Sequence, residues 1–104
     1  MKPKDMLTEL EAVAQCVEVK VSYESIASSV LRGGLCKVKG QFRVIIDKRL
    51  TPEERVNTLA ESLARFDWDK LVTMPNPVRA LLHYYAVRQG RIASDDVAPT
   101  AIAS

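Results

Sequence analysis

The chain has little with which to build a metal site. Its 104 residues hold one histidine, His83, and two cysteines, Cys16 and Cys36, with no C-x-x-C pair. A zinc site of the usual Cys/His spacing therefore cannot be assembled within one chain, and no metal or cofactor is expected. Long apolar runs are missing too: the longest are a few residues, such as Val44-Ile45-Ile46, against roughly 20 for a membrane-spanning helix. No membrane span is expected. Charge of one sign is also scarce, since 15 Lys+Arg against 13 Asp+Glu leave a formal net charge of +2. That is too little to imply nucleic acid or an anionic membrane from overall charge, so any basic surface must be local. The opening MKPKDMLTELEA turns amphipathic and acidic straight after its lysines. It does not read as a secretory signal, which makes a cytoplasmic location and free thiols the expectation.

What remains is patterned. Met6, Leu7, Leu10, Val13, Ala14 and Val17 recur at helical spacing, with Pro3 suited to a first turn, and predict a helix over 3–16. The period then changes to two, with Val17, Val19, Val21 and Tyr23 alternating with polar residues as in a half-buried strand. Residues 25–34 read as a connection with a short helical turn. LCKVKGQFRVIID reads as a hairpin turning at Gly40, with Cys36, Val38, Phe42, Val44 and Ile46 inward and Lys37, Lys39 and Arg43 outward. Thr51-Pro52-Glu53-Glu54 carries three helix-start signals: a hydroxyl N-cap, a proline at the first position and an acid at the capping-box position. Val56, Leu59, Ala60, Leu63 and Phe66 form that helix's buried stripe, and it is expected to end at Asp67-Trp68-Asp69. A third helix follows, with Asn76 as N-cap, Pro77 at its first position, Val78, Leu81, Leu82 and Tyr85 as its apolar face and Gly90 as its stop.

These elements predict an α+β fold: an N-terminal helix, a small antiparallel three-stranded sheet with a hairpin, then two helices packed on it. One domain is expected over 1–90. The tail RIASDDVAPTAIAS, 91–104, is small, polar and unpatterned and reads as disordered.

Few residues suggest chemistry. On the second helix Glu61 and Arg65 fall opposite the apolar stripe, with Glu at i and Arg at i+4, the favourable order for a helix-surface ion pair. His83 lies off the apolar face of its helix, and no nucleophile or carboxylate is bound to stand beside it. Tyr85 reads as core, Tyr84 as the edge of the stripe, and Trp68 as a helix-end aromatic that either closes the core or offers a partner a hot spot. Gly33-Gly34 does not precede a lysine-bearing helix, so it reads as the turn into the hairpin and not as a phosphate loop.

The segment RVNTLAESLARFD, 55–67, resembles the zinc helix of the ImmA/IrrE family of metallopeptidases, which typically reads R-x-F-T-L-A-H-E-L-G-H. Arg55, Thr58, Leu59, Ala60 and Leu63 match in register. Glu61 then falls at the first zinc-histidine position, Ser62 at the general-base glutamate and Arg65 at the second histidine. Zinc hydrolysis in this arrangement needs two imidazoles one helical turn apart and a carboxylate to activate water, and all three are replaced. The order of helix, strand, hairpin and motif helix also resembles the family over residues 3–67. The acidic ligand that the family carries on a downstream helix has no counterpart in NPVRALLHYYAVRQ. The resemblance implies a degenerate, non-enzymatic relative.

Two functions are expected from this reading. The first is a non-catalytic protein-interaction or regulatory domain that binds an extended segment in a groove beside the second helix, with Glu61, Ser62, Arg65 and Trp68 as candidate contacts. The alternative is a nucleic-acid-binding module using a basic sheet face of Lys20, Arg32, Lys37, Lys39 and Arg43. A homo-oligomer is compatible with either.

Overall fold

The computed structural model describes residues 1–25, 33–71 and 73–90. The short turn expected within 25–34, the disordered tail at 91–104 and Arg32 fall wholly or mostly outside them. Helix α1 runs Pro3–Cys16 with proline at its start and buries Leu10, Val13 and Ala14. It closes by a left-handed cap: Glu18 takes φ 61°, its N–H reaches Gln15 O at 3.2 Å, and the Val19 N–H reaches Ala14 O at 2.8 Å. This motif prefers glycine at the position Glu18 holds. It occupies residues 17–19, so strand β1 is Lys20–Glu24, shorter than the alternation from Val17 predicts.

Strands β2 (Gly33–Val38) and β3 (Gln41–Asp47) form the expected hairpin. Its turn is the two residues Lys39 and Gly40, at φ 51° and 81°, the left-handed pair that matches strand twist in tight hairpins. The sheet order is β1-β3-β2, with β1 parallel to β3 and β2 antiparallel to it. The sheet is therefore mixed, which corrects the all-antiparallel expectation. In a simple meander β2 would be central. Here β3 takes the centre because it carries Val44 and Ile46, both at 0% exposure, whereas β2 offers Leu35 as its one large core residue.

The register corrects a second expectation. A two-residue turn pairs Val38 with Gln41, and hence Lys37 with Phe42, Cys36 with Arg43 and Leu35 with Val44. Residues directly opposite share a face. Leu35 and Lys37 thus stand on the inner face with Phe42 and Val44, and Cys36 and Val38 on the outer face with Arg43. The Lys37 ammonium lies 5.0 Å from the centre of the Phe42 ring. Both cysteines are free, Cys16 exposed and Cys36 half-buried.

Helix α2, Pro52–Leu63, opens with the full capping box: Thr51 Oγ1 accepts from the Glu54 N–H at 3.2 Å and Glu54 Oε1 from the Thr51 N–H at 2.9 Å. It ends at Leu63, four residues before the expected stop, and the chain tightens through bonds from the Arg65 N–H to Ser62 O and from the Phe66 N–H to Leu63 O. A single 3₁₀ turn, Trp68–Lys70, follows. Helix α3 is Asn76–Arg88, with Pro75 at its N-cap and no side-chain cap. Asn76 is thus its first residue and not its cap. Helices α1 and α2 pack on each other and on the inner sheet face, and α3 takes its main contacts from α2 and α1. Leu59, Leu63, Leu82 and Trp68 fill the space between them at 1% exposure or less. No helix among the described residues is long and apolar enough to cross a membrane.

Candidate functional site

The positions that the metallopeptidase resemblance marks do not form an open cleft. Glu61 is exposed, and its backbone carbonyl accepts from Gln89 Nε2 at 2.7 Å, so α3 stands over the last turn of α2. Nearby Tyr85 has its phenol raised above the usual tyrosine range, first by burial and then by the negative charge of Glu61. Ser62 is buried, at 6% exposure, and its hydroxyl donates back to Thr58 O at 3.0 Å. Arg65 is exposed but lies beyond the helix end, and no ion pair among the described residues joins it to Glu61. Trp68 is interior, at 1% exposure, with its indole N–H donating to Ala64 O at 3.3 Å. Ser62 and Trp68 therefore offer no surface to a partner. The early end of α2 turns the chain inward at Phe66, which meets Phe42 edge to face at 5.1 Å and occupies the space between the hairpin and α2. His83 is half-buried and packs edge-on against Trp68 at 6.3 Å, closer to the core than its place on the helix suggests.

The basic residues are divided by the same register. Lys20 and Arg43 are direct partners across β1 and β3 and share the outer face. Lys37 stands on the inner face, and Lys39 sits in the turn. Among the described members of the expected basic face, only two are thus brought together on the sheet.

One further feature is not marked by the sequence. A groove of about 900 Å³ runs between α1 and β1, walled by Thr8, Glu11 and Gln15 of the helix and floored by Val19, Val21 and Tyr23. It lies where β1 is an edge: among the described strands β1 pairs with β3 alone. The Lys48 N–H donates to Glu24 O at 3.1 Å, so Glu24 turns its backbone groups toward β3. Along a strand these directions alternate. Ser22 and Lys20 follow Glu24, and Val21 and Tyr23 turn their N–H and C=O groups to the free edge.

The floor of the groove is held firmly. The Tyr23 hydroxyl donates to the Glu11 carboxylate, and burial, then this carboxylate, hold its phenol above the usual tyrosine range. The Arg55 guanidinium lies 5.4 Å from the centre of the Tyr23 ring and donates to Leu50 O at 3.1 Å and Lys48 O at 2.6 Å. At the end of β3, Asp47 holds Arg49 in a two-pronged ion pair at 2.7 Å, and the guanidinium keeps its carboxyl below the usual range. A second hollow, of about 560 Å³ and largely apolar, lies where the starts of α1, α2 and α3 meet, around Met6, Val56, Leu81 and Tyr84. Among the described residues, no three His, Cys, Asp or Glu side chains gather closely enough to hold a metal ion.

No family of known proteins, no curated protein and no solved structure matches the chain.

Proposed function

We propose that this chain is a non-catalytic protein-interaction domain that takes up an extended segment as an added strand along the free edge of β1, in the groove beside α1. The observation that carries this reading is the edge itself. Among the described residues, Val21 and Tyr23 present backbone donors and acceptors without strand partners to an open groove, and strand addition draws its affinity from such groups. Long, flat edges are normally blunted by proline, bulges or charge. β1 has no proline, and its charges, Lys20 and Glu24, lie at its two ends.

The resemblance of α2 to the metallopeptidase helix fits the same reading as that of a degenerate frame retained for binding. It enters as an analogy of pattern, with the binding surface moved from α2 to β1. The nucleic-acid reading has less support, because Lys37 faces the opposite side of the sheet from Lys20 and Arg43.

The test uses Val21→Pro. This removes an outward N–H without breaking the ladder to β3, a substitution that edge strands tolerate. Short random peptides selected for binding to the wild-type chain are expected to lose binding to the variant and to protect the Val21 and Tyr23 amides from hydrogen exchange. Peptides that bind a folded Val21→Pro variant equally well overturn the proposal.

A further inference from the structure

The sequence of the free edge is self-complementary. β1 reads Lys20-Val21-Ser22-Tyr23-Glu24. Laid antiparallel against a second copy about a two-fold axis through Ser22, it pairs Lys20 with Glu24 of the second copy, Val21 with Tyr23, Ser22 with Ser22, and Glu24 with Lys20. Each pairing is of a favourable kind: two opposite-charge pairs, two aromatic with β-branched pairs and a hydroxyl pair on the axis. Resting on the reading of β1 as a strand acceptor, we infer that its occupant is a second copy of this chain, giving a symmetric dimer with one continuous six-stranded sheet.

The backbone directions agree with this register. Val21 and Tyr23 turn their polar groups to the edge, so each Val21–Tyr23 pair exchanges two backbone hydrogen bonds across the axis. Lys20–Glu24 and Ser22–Ser22 then fall at the positions without backbone bonds, where opposed side chains approach most closely. The charges meet where they interact best. A shift by one residue breaks this match: it sets Lys20 against Tyr23 and Val21 against Ser22, and so brings Lys20 and Ser22, whose groups are committed to β3, to the bonding positions. On the inner face, Val21 and Tyr23 of the second copy enter the groove beside α1. Pairing one surface with itself is the ordinary mode of two-fold dimers.

The experiment is sedimentation equilibrium of the full chain up to about 1 mM, which reaches weak association. The wild type is expected to dimerise. Lys20→Glu sets Glu against Glu at both ends and Glu24→Lys sets Lys against Lys, so each is expected to weaken the dimer by about tenfold or more. A mixture of the two variants restores opposite charges throughout and is expected to associate like the wild type, as is the doubly swapped chain. Both positions are exposed, so the variants are expected to melt as the wild type does. Two results overturn the inference: a wild type that stays monomeric, or a dimer that neither single substitution weakens. A monomeric wild type whose selected peptides still lose binding to Val21→Pro removes the second copy but keeps the strand-accepting edge. A monomeric wild type whose peptides ignore Val21→Pro removes both.

Discussion

Arg55 gives the sharpest test of how the groove floor is held. Its guanidinium donates to the carbonyls of Leu50 and Lys48 in the loop between β3 and α2 and covers the Tyr23 ring. Arg55→Met keeps an unbranched apolar stem and removes all three interactions. Hydrogen bonds to charged groups reach about 1.5–3 kcal/mol. The bond to Lys48 is exposed and the bond to Leu50 part-buried, so discounted values of about 1 and 1.5 kcal/mol are appropriate. A partly exposed cation–π contact adds roughly 0.5–1 kcal/mol. The expected loss is about 3 kcal/mol, a large share of the 5–15 kcal/mol typical of a domain, and on a chain of this size it lowers Tm by about 12 °C or more. Arg55→Lys keeps the charge near the ring but cannot fork between two carbonyls, and is expected to lose about half as much. Urea unfolding followed by circular dichroism measures both. Tyr23→Phe, which keeps the ring but removes the bond to Glu11, should add to Arg55→Met less than independently, because both act on the same ring. An Arg55→Met variant within about 0.5 kcal/mol of wild type refutes the clamp.

The hairpin register is checked by neighbouring substitutions: Leu35→Ala, on the inner face, should cost about 1–2 kcal/mol, whereas Cys36→Ser, on the outer face, should stay within about 0.5 kcal/mol. The opposite ranking in denaturant midpoints means that the faces are exchanged. The depressed carboxyl of Asp47 contributes stability that is present above the usual aspartate range near ~4 and is lost as pH falls through its lowered folded value. Asp47→Asn should therefore weaken the fold at neutral pH and flatten the acid limb of the stability curve, while parallel curves for the two proteins count against the ion pair. Glu18→Gly should stabilise by up to about 1 kcal/mol by removing a side chain from a left-handed cap, and a loss on thermal unfolding means that the bond from Gln41 to this turn depends on its present shape. Replacing Glu61 and Arg65 together by alanine should change stability by less than ~1 kcal/mol, as expected for exposed residues with no mutual ion pair.

Features written in consecutive residues were the legible ones. Pro3 and the apolar period give α1 its observed limits, and Thr51 with Glu54 marks the start of α2 to the residue. The hairpin turn at Gly40 is readable, and it carries a rule of parity: a two-residue loop joins even positions of β2 to odd positions of β3, so Cys36 and Val38 cannot share a face with Phe42 and Val44. The same parity separates Lys37 from Lys20 and Arg43. Other misses had no local signal. The parallel pairing of β1 with β3 depends on which strand is apolar enough to be central, a comparison between segments. The end of α2 at Leu63 is set by Phe66 finding Phe42 and by Trp68 entering the core, contacts made across the fold.

The candidate site follows the same division, and this bears on what the resemblance of α2 means. The helix carries residues that hold the fold: Arg55 holds the preceding loop, and Leu59, Ala60 and Leu63 are fully buried. At the three positions where the family's chemistry stands, the present side chains serve local packing or solvent. Ser62 bonds back to its own helix, Glu61 lies beside α3, and Arg65 falls past the helix end. The edge of β1 is open because β3 satisfies one side of the strand and leaves the backbone groups of Val21 and Tyr23 turned away from it. Strand order, which no single segment encodes, thus gives an ordinary alternating strand its free edge.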